Sequence, residues 1–202
     1  MDAADTIAAV EEATTTERSR IGSDKALIAA TGADLSAEAI WTAAATREAG
    51  VADALESWAG DTAGGDAIAD AFDRAGRAAS ERAERIDPAP GEPDALSSHL
   101  DTLEGTPKRV GAGLVAVPLV LDRFYLQVVS FFVNEADESS ADVVRELRSD
   151  ASDLDLAREA LEALDASGRE QARDAAVEAV GVAYEEYASA LESMGLDPKP
   201  VC

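Results

Sequence analysis

The sequence predicts an all-α protein, and three observations carry that prediction. Apolar residues recur at three- and four-residue intervals along almost the whole chain, which lines them up on one face of successive helices. Capping and stop residues fall where those runs end. The one segment that would suit a strand, Val128-Val-Ser-Phe-Phe-Val133, has no second strand to pair with, so it is assigned to helix.

The elements follow in order. Residues 3–21 set Ile7, Val10, Thr14 and Ile21 on one side, and Gly22-Ser23 interrupts the run. A helical piece from Asp24 to Thr31 stops at Gly32, a residue that accepts the left-handed conformation common at helix ends. Ser36 caps a helix that reaches about Ala59, with Ile40, Ala44, Val51, Leu55 and Trp58 inward. Gly60, Gly64 and Gly65 mark the next turn, and residues 66–86 carry Ile68, Phe72, Ala75, Ala79 and Ile86 at helical spacing. Asp87-Pro-Ala-Pro-Gly-Glu-Pro93 is the only proline-rich linker, and a short helix over 94–104 follows it. Thr106-Pro107 reads as N-cap and first residue of a long apolar helix to 134, which Pro118 should kink. One helix from Ser140 to about Leu164 would place Val143, Leu147, Ala151, Leu154, Leu161 and Leu164 on a stripe. Ser167-Gly-Arg-Glu170 has the form of a capping box and opens a helix to Met194, with Ala172, Ala176, Ala183, Tyr187 and Met194 inward. The expected organisation is a single helical domain: a first half, 1–86; the linker, 87–93; a second half, 94–196; and an extended tail, 197–202.

At 202 residues the chain can bury about 70% of its unfolded surface, so a core needs no disulfide or metal staple. Its 41 acidic residues face only 17 basic ones, for a formal charge of −24. That balance disfavours binding to a bare phosphate backbone and to an anionic membrane surface. Disorder does not fit a chain with 47% regularly spaced hydrophobic residues. The expected setting is instead the cytoplasm of a salt-accumulating halophile, because the Debye length at about 1 M salt is only about 3 Å and a carboxylate carpet then repels itself weakly. The first residues lack a basic, apolar secretory pattern, and Asp122-Arg123 interrupts the strongest apolar stretch, Val110–Val133, so that stretch is read as a core helix. One cysteine, Cys202, offers no internal disulfide partner and is read as an inert tail residue.

Chemistry-bearing groups are sparse. With His99 as its one histidine, the chain cannot build a His-rich zinc site. His99 reads as structural or surface, or at most a minor pH sensor. Gly111-Ala-Gly113 lacks both the third glycine and the preceding strand of a phosphate loop, so it reads as small residues for close helix packing. Carboxylates are everywhere, so the informative ones are those on an apolar stripe. Glu48 follows Ala44 and precedes Val51 and Leu55 on one face, and Asp122 sits between Leu121 and Phe124. A buried carboxylate needs a cation, a metal or a full set of donors. Arg82, on the inward series Phe72, Ala75, Ala79, Arg82 and Ile86, is one candidate partner for Glu48, and Arg47 is the other.

Residues 36–86 resemble the first helix pair of the rubrerythrin branch of the ferritin-like superfamily. The matching text is Arg47-Glu-Ala-Gly-Val-Ala-Asp-Ala-Leu-Glu-Ser-Trp-Ala59, then Asp66-Ala-Ile-Ala-Asp-Ala-Phe72 through Glu84-Arg-Ile86; residues 107–164 resemble the second pair more weakly. The resemblance implies a ferritin-like up-down bundle, here with added N- and C-terminal helices, around a di-iron site. It places Glu48 on the first ligand position, ten residues before Trp58, and Asp122 on a shortened counterpart ten before Phe132. The Glu-x-x-His slots fall on Ala79 and Arg82, so both of those ligands are missing. The alternative register, Glu81-Arg-Ala-Glu84, puts its carboxylates on the outer face.

The expected reading is therefore a non-catalytic ferritin-like binding or interaction protein with a degenerate metal site and no cofactor. Arg82 supplies a fixed positive charge at the former ligand slot. The alternative is a carboxylate-only di-iron or iron-handling protein using Glu48, Asp122 and the outer Glu81 and Glu84. A weaker alternative is a transcription-associated factor binding RNA or polymerase through Arg74, Arg77 and Arg85. Alanine-rich faces with Trp41 and Trp58 offer surfaces on which a homo-oligomer could form; no protein partner is specified.

Overall fold

A computed structural model describes residues 1–61 and 66–199; Gly64, Gly65 and Cys202 lie outside the described residues. The chain is all-α, with no strand among the described residues. Its helices are α1 (Ala3–Ala13), α2 (Thr15–Ile21), α3 (Ala26–Thr31), α4 (Ala37–Gly60), α5 (Asp66–Glu84), α6 (Ala95–Asp101), α7 (Thr106–Asn134), α8 (Glu138–Ala151), α9 (Asp155–Ala163) and α10 (Ala166–Ser193).

The first run divides at Thr14, whose hydroxyl donates to the Val10 carbonyl and whose side chain is buried. Gly32 ends α3 with φ of +61°. The Ser36 hydroxyl accepts from the Ala39 N–H and starts α4, as the sequence predicts. Helices α4 and α5 form an antiparallel hairpin: Trp58 meets Phe72 edge-on at 5.5 Å between ring centroids, and farther along Arg82 reaches back to Glu48. Helices α7 and α8 form a second hairpin through the short 135–137 turn, while α10 runs along the first turns of α7 and also touches α1, α2, α3 and α6.

Upstream of Pro118, the position where a kink is expected, α7 carries a π-helical turn over Val110–Ala116, where the Val117 N–H bonds back to the Ala112 carbonyl. This wider turn ends just before Pro118, which has no N–H to give, and so absorbs the misfit upstream of the ring. All seven of its residues are buried. A Cβ on Gly111 would stand 1.8 Å from the Ala172 carbonyl oxygen, and one on Gly113 would meet Trp58 at 2.6 Å. The two glycines thus let α10 and α4 approach the turn backbone, the packing role read from the sequence. Helix α7 is long and apolar enough to cross a membrane by length and composition, yet over half of its most apolar stretch is buried within the protein.

Four local expectations are corrected. The 140–164 stretch is two helices, broken at Ser152-Asp153, where the Asp153 carboxylate accepts from the Asp155 N–H. Its inward residue is Val144, fully buried, whereas Val143 is 36% exposed. The last helix begins earlier than predicted: Asp165, not Ser167, caps it, because its carboxylate reaches the Gly168 N–H at 2.7 Å. Thr106 lies inside α7, and Gly105 takes the capping position.

Candidate functional site

The first candidate site is the interior of the α4–α5 hairpin where it meets α7. Glu48 is 0% exposed and Arg82 is 7% exposed, each placed inward by its position on an apolar helical face. Arg82 donates through Nε at 3.0 Å and Nη2 at 2.9 Å, both to Glu48 Oε2. The Tyr125 hydroxyl donates to Glu48 Oε1 at 2.7 Å. Both carboxylate oxygens are therefore engaged, which is how a charge can be held in an apolar core. Burial, reinforced by the neighbouring Glu48 carboxylate, pushes the Tyr125 phenol well above its ordinary pKa, so it stays a donor.

Of the two candidate partners for Glu48, Arg82 makes the pair. Arg47 turns instead to Asp94, at 3.3 Å, with its guanidinium 4.1 Å above the Phe124 ring. Tyr125 escaped the sequence reading. Its signal was there: it shares the α7 face of Leu121, Val128 and Phe132, a polar-tipped ring on the most apolar stripe of the chain.

Asp122 does not join this group. One position off that stripe, its side chain is 24% exposed and pairs with Arg148 of α8, whose Nε and Nη2 reach Oδ1 at 2.9 and 2.8 Å. Arg123 stands 3.6 Å from its other oxygen. Glu81 and Glu84 are exposed. Among the described residues, no three His, Cys, Asp or Glu side chains gather as a metal cluster. The side chains as arranged do not fit a di-iron centre: Glu48 has its oxygens filled by protein donors, and a guanidinium lies against it.

The other singled-out residues are distributed as follows. Arg74 pairs with Glu159, Arg77 with Asp73, and Arg85 with Glu146 and Asp150, so each of these outer-face cations meets carboxylates. Trp58 is 3% exposed and offers no docking surface, because it fills the space between Phe72 and Gly113. Trp41 is half-buried against Phe132 at 5.1 Å. His99 is half-buried, and its Nε2 is covered without a hydrogen-bond partner among the described residues.

A second feature lies on the other side of α4. A cleft of about 730 Å³ opens between α3, α4, α7 and α10 and is also lined by Glu92, Pro93 and Asp94 of the linker region. Its volume lies in the range of small-molecule sites, about 300–1,000 Å³. Comparison of the chain with family models, with curated proteins and with solved structures gives no match.

Proposed function

We propose that this chain is a non-catalytic helical binding protein of ferritin-like architecture, in which an internal ion pair takes the place of a metal centre, working in a salt-rich cytoplasm. The single observation that carries the reading is the saturation of Glu48 by Arg82 and Tyr125. A carboxylate engaged on both oxygens serves as a structural acceptor. A fixed guanidinium beside it repels a cation: at an effective dielectric of about 20, a unit charge 4 Å from a divalent ion contributes about 8 kcal/mol. The cleft supplies the binding function with a place to act, and the charge of −24 supports the salt-rich setting.

Metal analysis of protein purified in molar KCl tests the proposal. Less than one tightly held iron per chain is expected, with no oxo-bridged di-iron absorption after aerobic reconstitution. Two irons per chain would overturn the reading and put the iron-handling alternative in its place. Arg82→His combined with Ala79→Glu, which rebuilds the two missing ligands of the resemblance, should raise iron binding above that of the unmodified chain.

A further inference from the structure

The cleft has an apolar floor and a polar wall. Val120 and Phe124 of α7, Ala43 of α4 and Ala183 of α10 line the floor. The wall carries one cation, Arg47, and it is already engaged by Asp94 and by the Phe124 ring. Glu186 of α10 stands differently. One of its oxygens accepts the Ala95 N–H at 2.8 Å, and among the described residues no donor meets the other and no cation pairs with it. Burial, with Asp94 nearby, pushes its carboxyl above the ordinary range, against the opposing pull of the Ala95 N–H and of the Arg47 guanidinium across the cleft wall. Asp34, Glu38 and Glu92 add negative charge at the mouth.

We propose that this cleft binds small amphipathic organic cations, with an ammonium group on an aromatic or aliphatic body and Glu186 as its charge partner. The apolar floor takes the body of such a molecule, and the open side of the Glu186 carboxylate takes its N–H donors. An anion finds no free cation in the cleft, and a purely apolar guest would leave the desolvated carboxylate unpaired. The proposal deepens the reading of the chain as a binding protein by naming the class of its ligand.

The test uses three probes of one shape, 2-phenylethylammonium, 2-phenylethanol and 3-phenylpropionate, titrated into the full chain in molar KCl by calorimetry and ligand-observed NMR. The ammonium is expected to bind at least tenfold more tightly than the other two. Glu186→Gln should reduce its affinity about tenfold, to that of the alcohol, as loss of one hydrogen bond to a charged group predicts. Ala43→Phe, which fills the floor, should abolish ammonium binding while the helical circular dichroism is kept. Equal or tighter binding of the carboxylate, indifference to Glu186→Gln, or no binding by any probe would overturn the proposal. Iron content of the same preparation is scored separately. A cleft that fails with an iron-free chain leaves the non-catalytic reading standing, and an iron-loaded chain removes that reading whatever the probes do.

Discussion

Arg82→Met is expected to destabilise the protein by about 3–5 kcal/mol, because it strands a carboxylate in the core. At the observed 2.9 Å, Arg82 and Glu48 attract each other by about 6 kcal/mol at an effective dielectric of about 20. Desolvating each ion costs several kcal/mol in the other direction. The two effects nearly cancel, so the intact pair adds little net stability over an apolar pair of the same shape. Removing one partner leaves the desolvation cost with nothing against it. Glu48→Leu with Arg82→Met is therefore expected to lie far above either single variant and close to, or above, the parent chain. Tyr125→Phe should cost about 1.5–3 kcal/mol, the usual contribution of a hydrogen bond to a charged group. Urea unfolding of the parent, both singles and the double in molar KCl closes the cycle. If Arg82→Met cost less than about 1 kcal/mol and the double variant cost the sum of the singles, Glu48 would not be held by Arg82 and the reasoning would fail.

Other outcomes are as direct. Asp165→Ala should destabilise by about 1 kcal/mol through the lost cap, whereas Ser167→Ala should change little, and thermal unfolding of the two separates the capping positions. Ala136 holds φ of +57° in the turn between α7 and α8. Relief of left-handed strain worth about 1–2 kcal/mol, less the added chain entropy of about 0.5–1 kcal/mol, makes Ala136→Gly neutral to stabilising by up to about 1.5 kcal/mol; a clear loss of melting temperature would contradict the turn geometry. Because the folded-state pKa of Glu186 is raised, the folded chain binds its proton more tightly than the unfolded chain does. Stability should thus fall as pH rises from the ordinary glutamate value through the raised one, and Glu186→Gln should remove that part of the pH dependence in urea titrations across this window. With a charge of −24, the melting temperature should climb between dilute and molar KCl; a flat salt response would count against the salt-rich setting.

The sequence by itself determined the helical class and most of the helix starts and inward faces. The reason is that alanine and aliphatic periodicity is a local signal, as are caps such as Ser36 and stops such as Gly32. It also narrowed the partner of Glu48 to two arginines, because a carboxylate on an apolar face must find a cation or donors nearby. Tertiary structure decided which one. Arg47 and Arg82 both lie within reach of the α4–α5 pairing, but only packing against α6 and α7 turns Arg47 toward Asp94 and Phe124. The break at Ser152-Asp153 was hidden for a similar reason: the apolar stripe continues across it, and only the fold shows that α9 turns away to meet α5. The Val143–Val144 choice is a one-residue phase that an Ala- and Val-rich helix leaves open until a neighbour is present. Tyr125 and the cleft belong wholly to the tertiary level. The first joins two helices 77 positions apart in sequence, and the second is bounded by segments from α2 to α10 that no local pattern brings together.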